Sequence, residues 1–198
     1  RSGGYPHISV RKRTGRLRCD ATYFDFDEDK LLSIAKRAKE VGIELFVLDD
    51  GWFGKRNDDF SGLGDWTVNY DKLPSGIDGL AKKINDIGMK FGLWFEPEMV
   101  NPDSDLYRAH SNWAISVPKR ISSLSRNQLI LDLSRDDVCE YIIKAVSDVL
   151  KSANIEYVKW DMNRPMTDMP YEGYNHKYTL GFYKIMDAIT GAFPNVLF

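Results

Sequence analysis

Short apolar runs alternate with amphipathic stretches along most of this chain. Residues 44–48, 90–95, 128–133 and 156–160 are dense in aliphatic and aromatic side chains. Runs of that length and make-up predict buried strands. A weaker run, Leu17–Thr22, predicts a strand ahead of them, and Asn195–Phe198 the start of one more. Between the runs the apolar spacing is helical. Leu31, Ile34, Ala35 and Ala38 share one face of a helix over Glu28–Val41, with Asp27 as N-cap and Gly42 as stop. A second helix covers Ile77–Ile87, and a short one Ser104–His110. Val138, Ile142, Ala145, Val146 and Val149 line a third long helix, with Ser134 as N-cap and Asp136 and Asp137 in its first turn. Tyr178, Phe182, Ile185 and Ile189 line the last, Asn175–Phe193.

Strands alternating with helices imply βα units and a parallel sheet. Right-handed crossovers then place every strand's C-terminal end on one rim. Those ends are acidic: Asp49-Asp50, Glu96-Pro97-Glu98, Asp132 and Asp161. One strand-end Asp is usually structural, but the recurrence predicts a converging set of carboxylates. Asp161 is flanked by Lys159 and Arg164, whose charges favour its ionised form. That is where a barrel enzyme places a nucleophile. Five strands and the start of a sixth fall short of the eight of a (β/α)8 barrel. An open doubly wound sheet would bind at one switch point, near a glycine-rich turn. Here the acids are spread over many strand ends, so the expectation is an α/β fold, a partial (β/α)8 barrel.

Two loops stand out. Residues 51–73 are polar and carry Gly51, Gly54, Gly62 and Gly64 with Trp52 and Trp66 among them. A loop of that length in a compact domain is usually functional. Residues 113–126 read as irregular.

Composition adds exclusions. With 198 residues, 43% hydrophobic, 28% charged and a net charge of -2, the chain has no general pull toward nucleic acid or membrane. No apolar run is long enough to span a bilayer. Cys19 and Cys139 are too few for a disulfide framework, which suits a cytoplasmic protein. His7, His110 and His176 show no metal spacing, and no cofactor motif is present. Five Trp beside clustered acids favour a sugar ligand, since an indole face packs on a pyranose while carboxylates take its hydroxyls. Trp113 reads as ordinary core. Residues 1–18 are basic and without strong periodicity, a leader distinct from the unit at 19–198. There is no initiator Met, so the start reads as cut.

Several stretches then resemble one family. They are Leu48–Asp58, Gly64-Asp65-Trp66, Gly92–Met99, Arg126-Asn127-Gln128, Leu131–Arg135 and Lys159–Arg164. In this order they closely resemble family 36 glycoside hydrolases, the bacterial retaining α-galactosidases, from about Ala21 to Phe198. The resemblance implies hydrolysis of terminal α-galactosides of melibiose and raffinose type by double displacement. It makes Asp161 the catalytic nucleophile. Asp49 and Asp50 hold the galactose 4- and 6-hydroxyls, Trp94 lines the sugar pocket, and Arg126 and Lys159 bind ring hydroxyls. Trp52 borders the site. No metal or cofactor is implied; the partners are α-galactoside oligosaccharides, not nucleic acid or membrane, and the intact enzyme is expected to be a tetramer-like homo-oligomer.

Two departures qualify the likeness. Cys19 stands where the family's first strand has a Trp, and the residues upstream do not match. The family's acid/base Asp lies beyond a glycine-rich segment that follows the last helix here. The expectation is therefore a partial catalytic domain, inactive alone. Beside it stand a non-catalytic remnant that binds galactosides weakly, and a related α-N-acetylgalactosaminidase or transglycosidase.

Overall fold

The computed structural model describes residues 22–198 together with the backbone of two strands, Ile8–Lys12 (β1) and Gly15–Cys19 (β2). The rest of the basic leader and residues 20–21, part of the expected first strand, lie outside the described residues. Helix α1 spans Glu28–Glu40, and the Asp27 carboxylate accepts from Lys30 N at 2.8 Å, the expected cap. Strand β3 (Leu45–Leu48), helix α2 (Gly76–Asp86) and strand β4 (Lys90–Phe95) follow. Next come β5 (Met99–Val100), α3 (Asp105–Ala109), β6 (Leu129–Ile130), α4 (Asp136–Ser152), β7 (Tyr157–Trp160) and α5 (Tyr174–Ala192).

The main sheet runs in the order β2-β1-β3-β4-β7, and β3, β4 and β7 are parallel. A further parallel bridge, Tyr157↔Leu197, continues the sheet past β7. Spatial order follows chain order across β3, β4, β7 and this bridge, with a long helix in each connection. Leu31, Phe46, Leu48, Leu80, Phe91, Leu93, Val138 and Ile142 are fully buried between sheet and helices.

Three expectations are corrected. The run 128–133 does not join this sheet. Only Leu129–Ile130 is a strand, paired antiparallel with β5, and β4 pairs directly with β7. A short apolar core such as Leu129-Ile130-Leu131 looks alike in a sheet and in a buried loop hairpin. Second, Gly15–Cys19 pairs antiparallel with β1, and β1 antiparallel with β3. Ile8 and Val10 alternate with polar residues, a strand signal within the basic leader, and Leu17 and Cys19, in the expected first strand, alternate likewise to complete a hairpin. The parallel set is thus three described strands rather than five. Third, Ser134 does not cap α4; Arg135 precedes the helix, and the Ser134 hydroxyl donates to Asp132 instead.

Candidate active site

Register explains which side chains meet. Leu48 pairs with Leu93, so Asp49 falls in the next row beside Trp94, which pairs with Lys159. Lys159 and Asp161 are two apart and share a face, as do Trp94 and Glu96. The outcome is a tight cluster. Lys159 Nζ lies 3.0 Å from Asp49 Oδ2 and 3.5 Å from Asp161 Oδ2. The Trp94 indole N–H donates to Asp161 Oδ2 at 3.1 Å. Asp49 Oδ1 accepts from the Asp50 N–H at 3.0 Å.

These carboxylates differ in exposure and ionisation. The Asp161 side chain keeps 28% of its surface open, whereas that of Asp49 keeps 3%. Burial alone would push the Asp161 carboxyl up. The Trp94 indole, Lys159, Asn163 and the Met162 N–H outweigh it and hold the group below its ordinary value. Burial wins at Asp49, whose carboxyl is raised although Lys159 and the Asp50 N–H oppose the shift. An ionised, reachable carboxylate at the strand end can attack an electrophilic carbon.

Asp50 has a partner that sequence reasoning did not single out. The buried Arg56 grips it side-on, with Nε 2.9 Å from Oδ1 and Nη2 2.7 Å from Oδ2. Burial works against the guanidinium's charge, and Asp50, aided by Asp59 and Glu96, more than restores it. A bidentate clamp fixes the plane of the carboxylate and leaves its outer lone pairs for other donors.

Glu96 is buried beneath the same cluster. It accepts from Gln128 Nε2 at 3.1 Å and from the Asn163 N–H. Burial pushes its carboxyl up to about 7, with Asp161 and Asp50 adding to the rise and Asn163 opposing it. Asp132 does not converge with the others: its Oδ1 accepts from Ser134 and from the Tyr174 hydroxyl, a structural use. Glu98 is similarly engaged by Trp160 Nε1 and the Tyr178 hydroxyl. Arg164 does not support Asp161. Its guanidinium donates to the Ser123 and Gln128 carbonyls and the Thr167 hydroxyl. Trp52 is fully enclosed, packs edge-on against Phe95, and donates its N–H to the Trp94 carbonyl. Arg126 sits at the tip of a two-residue turn, half-buried, between Ser125 and Gln128. Among the described residues no group of three or more His, Cys, Asp or Glu is placed to hold a metal ion.

A sequence model described as melibiase matches residues 17–198. The chain belongs to the melibiase family. It is 58% identical over 187 residues to alpha-galactosidase AgaA of Geobacillus stearothermophilus, covering 90% of this chain and 26% of that protein. It is 48% identical to alpha-galactosidase 1 of Pediococcus pentosaceus, again over 90% of this chain and 26% of the relative. The crystal structure of a doubly substituted AgaA from Geobacillus stearothermophilus in complex with raffinose superposes with a TM-score of 0.86 at 58% identity, covering 90% of this chain and 26% of that one. This melibiase segment therefore spans about a quarter of the length of the relatives it matches. Arg56 and its buried contacts had no local signal, since a lone Arg in a polar loop is ordinarily solvated.

Proposed function

We propose that the protein carrying this segment is a retaining α-galactosidase, with Asp161 attacking the anomeric carbon of a terminal α-galactoside. The observation that carries this is the cluster itself: a reachable Asp161 kept ionised by Trp94 and Lys159, beside the carboxylates Asp49 and Asp50. In this reading Asp49 and Asp50 accept from the sugar's 4- and 6-hydroxyls. Trp94 walls the glycone pocket, and Lys159 and Arg126 donate to ring hydroxyls. Trp52 supports Trp94 from below. The strand sequence β3, β4, β7 and Leu197, in spatial order without a switch point, supports a (β/α)8 barrel wall. Relatives are named alpha-galactosidases, and one is solved with raffinose, which supports an α-galactoside substrate.

Retention requires a second carboxyl about 5–5.5 Å from the nucleophile to protonate the leaving oxygen. We assign that role to none of the carboxyls in this cluster. Asp49 and Asp50 are committed to Lys159 and Arg56, and Glu96 to Asn163 and Gln128. The test is proton NMR of an aryl α-galactoside digested by the full-length protein. α-Galactose should appear first and mutarotate later. Initial β-galactose would refute retention, and no turnover would refute the activity.

A further inference from the structure

Asn101, just past β5, is fully buried and has every polar atom engaged. Its Oδ1 accepts from Arg56 Nη1 at 3.1 Å and from the Leu63 N–H at 2.8 Å. Its Nδ2 donates to the Asn127 carbonyl at 2.8 Å and to the Asp59 carbonyl at 3.3 Å. Its own N–H donates to the Leu63 carbonyl at 3.0 Å, and its carbonyl accepts from the Ser104 hydroxyl at 2.8 Å. A side-chain amide offers two donors and one double acceptor, so nothing is left over.

The two ends of this network are both functional candidates. On one side Arg56 clamps Asp50. On the other lies the Arg126-Asn127 turn. Arg126 has φ +52° and Asn127 φ +61°; Asn tolerates the left-handed region, but Arg rarely adopts it, so the turn holds Arg126 in an uncommon conformation. The turn is pinned at the Asn127 carbonyl by Asn101 and at the Gln128 carbonyl by Arg164 Nη1, 2.6 Å away. Arg56 Nη2 lies 3.8 Å from Asp59 Oδ1, and the charges of Arg56 and Arg126 both oppose the rise that burial gives the Asp59 carboxyl.

We infer that Asn101 is a positioning residue that, through Arg56 and the Asn127 carbonyl, sets the spacing between the Asp50 carboxylate and the Arg126 guanidinium, and with it the fit to the galactosyl hydroxyls. It touches no substrate. It makes the long 51–73 loop and the 125–128 turn behave as one rigid wall of the sugar pocket. This rests on the functional reading above, in which Asp50 and Arg126 bind the sugar.

The test uses the full-length protein with Asn101→Asp and, as a milder change, Asn101→Ser. Asn101→Asp keeps the acceptor for Arg56 but cannot donate to Asn127. Parent and variants are assayed on an aryl α-galactoside and on its 4-deoxy and 6-deoxy analogues. KM for the galactoside should rise about tenfold, while kcat changes less than about threefold. The rise should shrink on the analogue that lacks the hydroxyl Asp50 holds. The same loss on all three substrates, a loss in kcat alone, or no loss would overturn the inference. So would failure of both variants to fold, which would make Asn101 a folding element only. An inactive parent would instead refute the functional reading, and this inference with it.

Discussion

The indole N–H of Trp94 donates to Asp161 Oδ2 at 3.1 Å, so a ring from one strand holds the carboxylate of the next. The bond orients Asp161 and favours its ionised form. The same ring lies parallel to Phe53, centroids 6.2 Å apart.

Trp94→Phe should keep much of that packing and lose the bond. With its ionised form less stabilised, Asp161 should protonate at higher pH. The acidic limb of the kcat profile should move up by about one pH unit, the scale of one hydrogen bond to a charged group. An unmoved limb would mean that the indole only packs.

Lys159→Met removes the cation shared by Asp49 and Asp161. Burial already raises Asp49, so without Lys159 it should protonate further. Activity should be lost first on the acidic side, and Lys159→Arg should restore part of it. Equal loss at every pH would point to substrate contact alone.

Much of this architecture was legible from periodicity. The cores of β3, β4 and β7 and the long helices follow from apolar spacing, and Asp49, Glu96 and Asp161 from their places at strand ends. The run at 128–133 misled because a short apolar core, Leu129–Leu131, does not reveal a strand's partner. Leu129 pairs with Val100, a residue of a two-residue strand hidden after Glu-Pro-Glu. Asp132 went with it, away from the cluster. Arg56 and Asn101 were illegible for another reason: they meet across 45 positions of sequence, and only tertiary structure buries them together.

Glu96 bears on stability. Its carboxyl rises from an ordinary 4.5 to about 7 in the fold. The folded state therefore holds the proton more tightly than the unfolded chain. This contribution is fully present below pH 4.5 and is lost as pH rises through about 7. Its size is up to about 3 kcal/mol. Glu96→Gln should flatten this part of the stability profile and raise stability at pH 8 relative to the parent. Denaturant unfolding at pH 5 and pH 8 measures it; a parallel profile in the variant would contradict the assignment.

Gly181 marks where α5 meets the chain ahead of α4. A Cβ there would fall 1.8 Å from the Leu133 carbonyl oxygen. Gly181→Ala gains about 1 kcal/mol of helix propensity. The clash should exceed it, for a net loss of at least about 2 kcal/mol in denaturant unfolding. A more stable variant would show that the helix can shift freely.

The most direct test of the central claim is covalent labelling of the full-length protein with a mechanism-based galactosyl fluoride, followed by peptide mapping. Retention proceeds through a glycosyl-enzyme, so the label should sit on Asp161 and be absent from Asp161→Asn. A label on Asp49, Asp50 or Glu96, or none at all while turnover continues, would contradict Asp161 as the nucleophile.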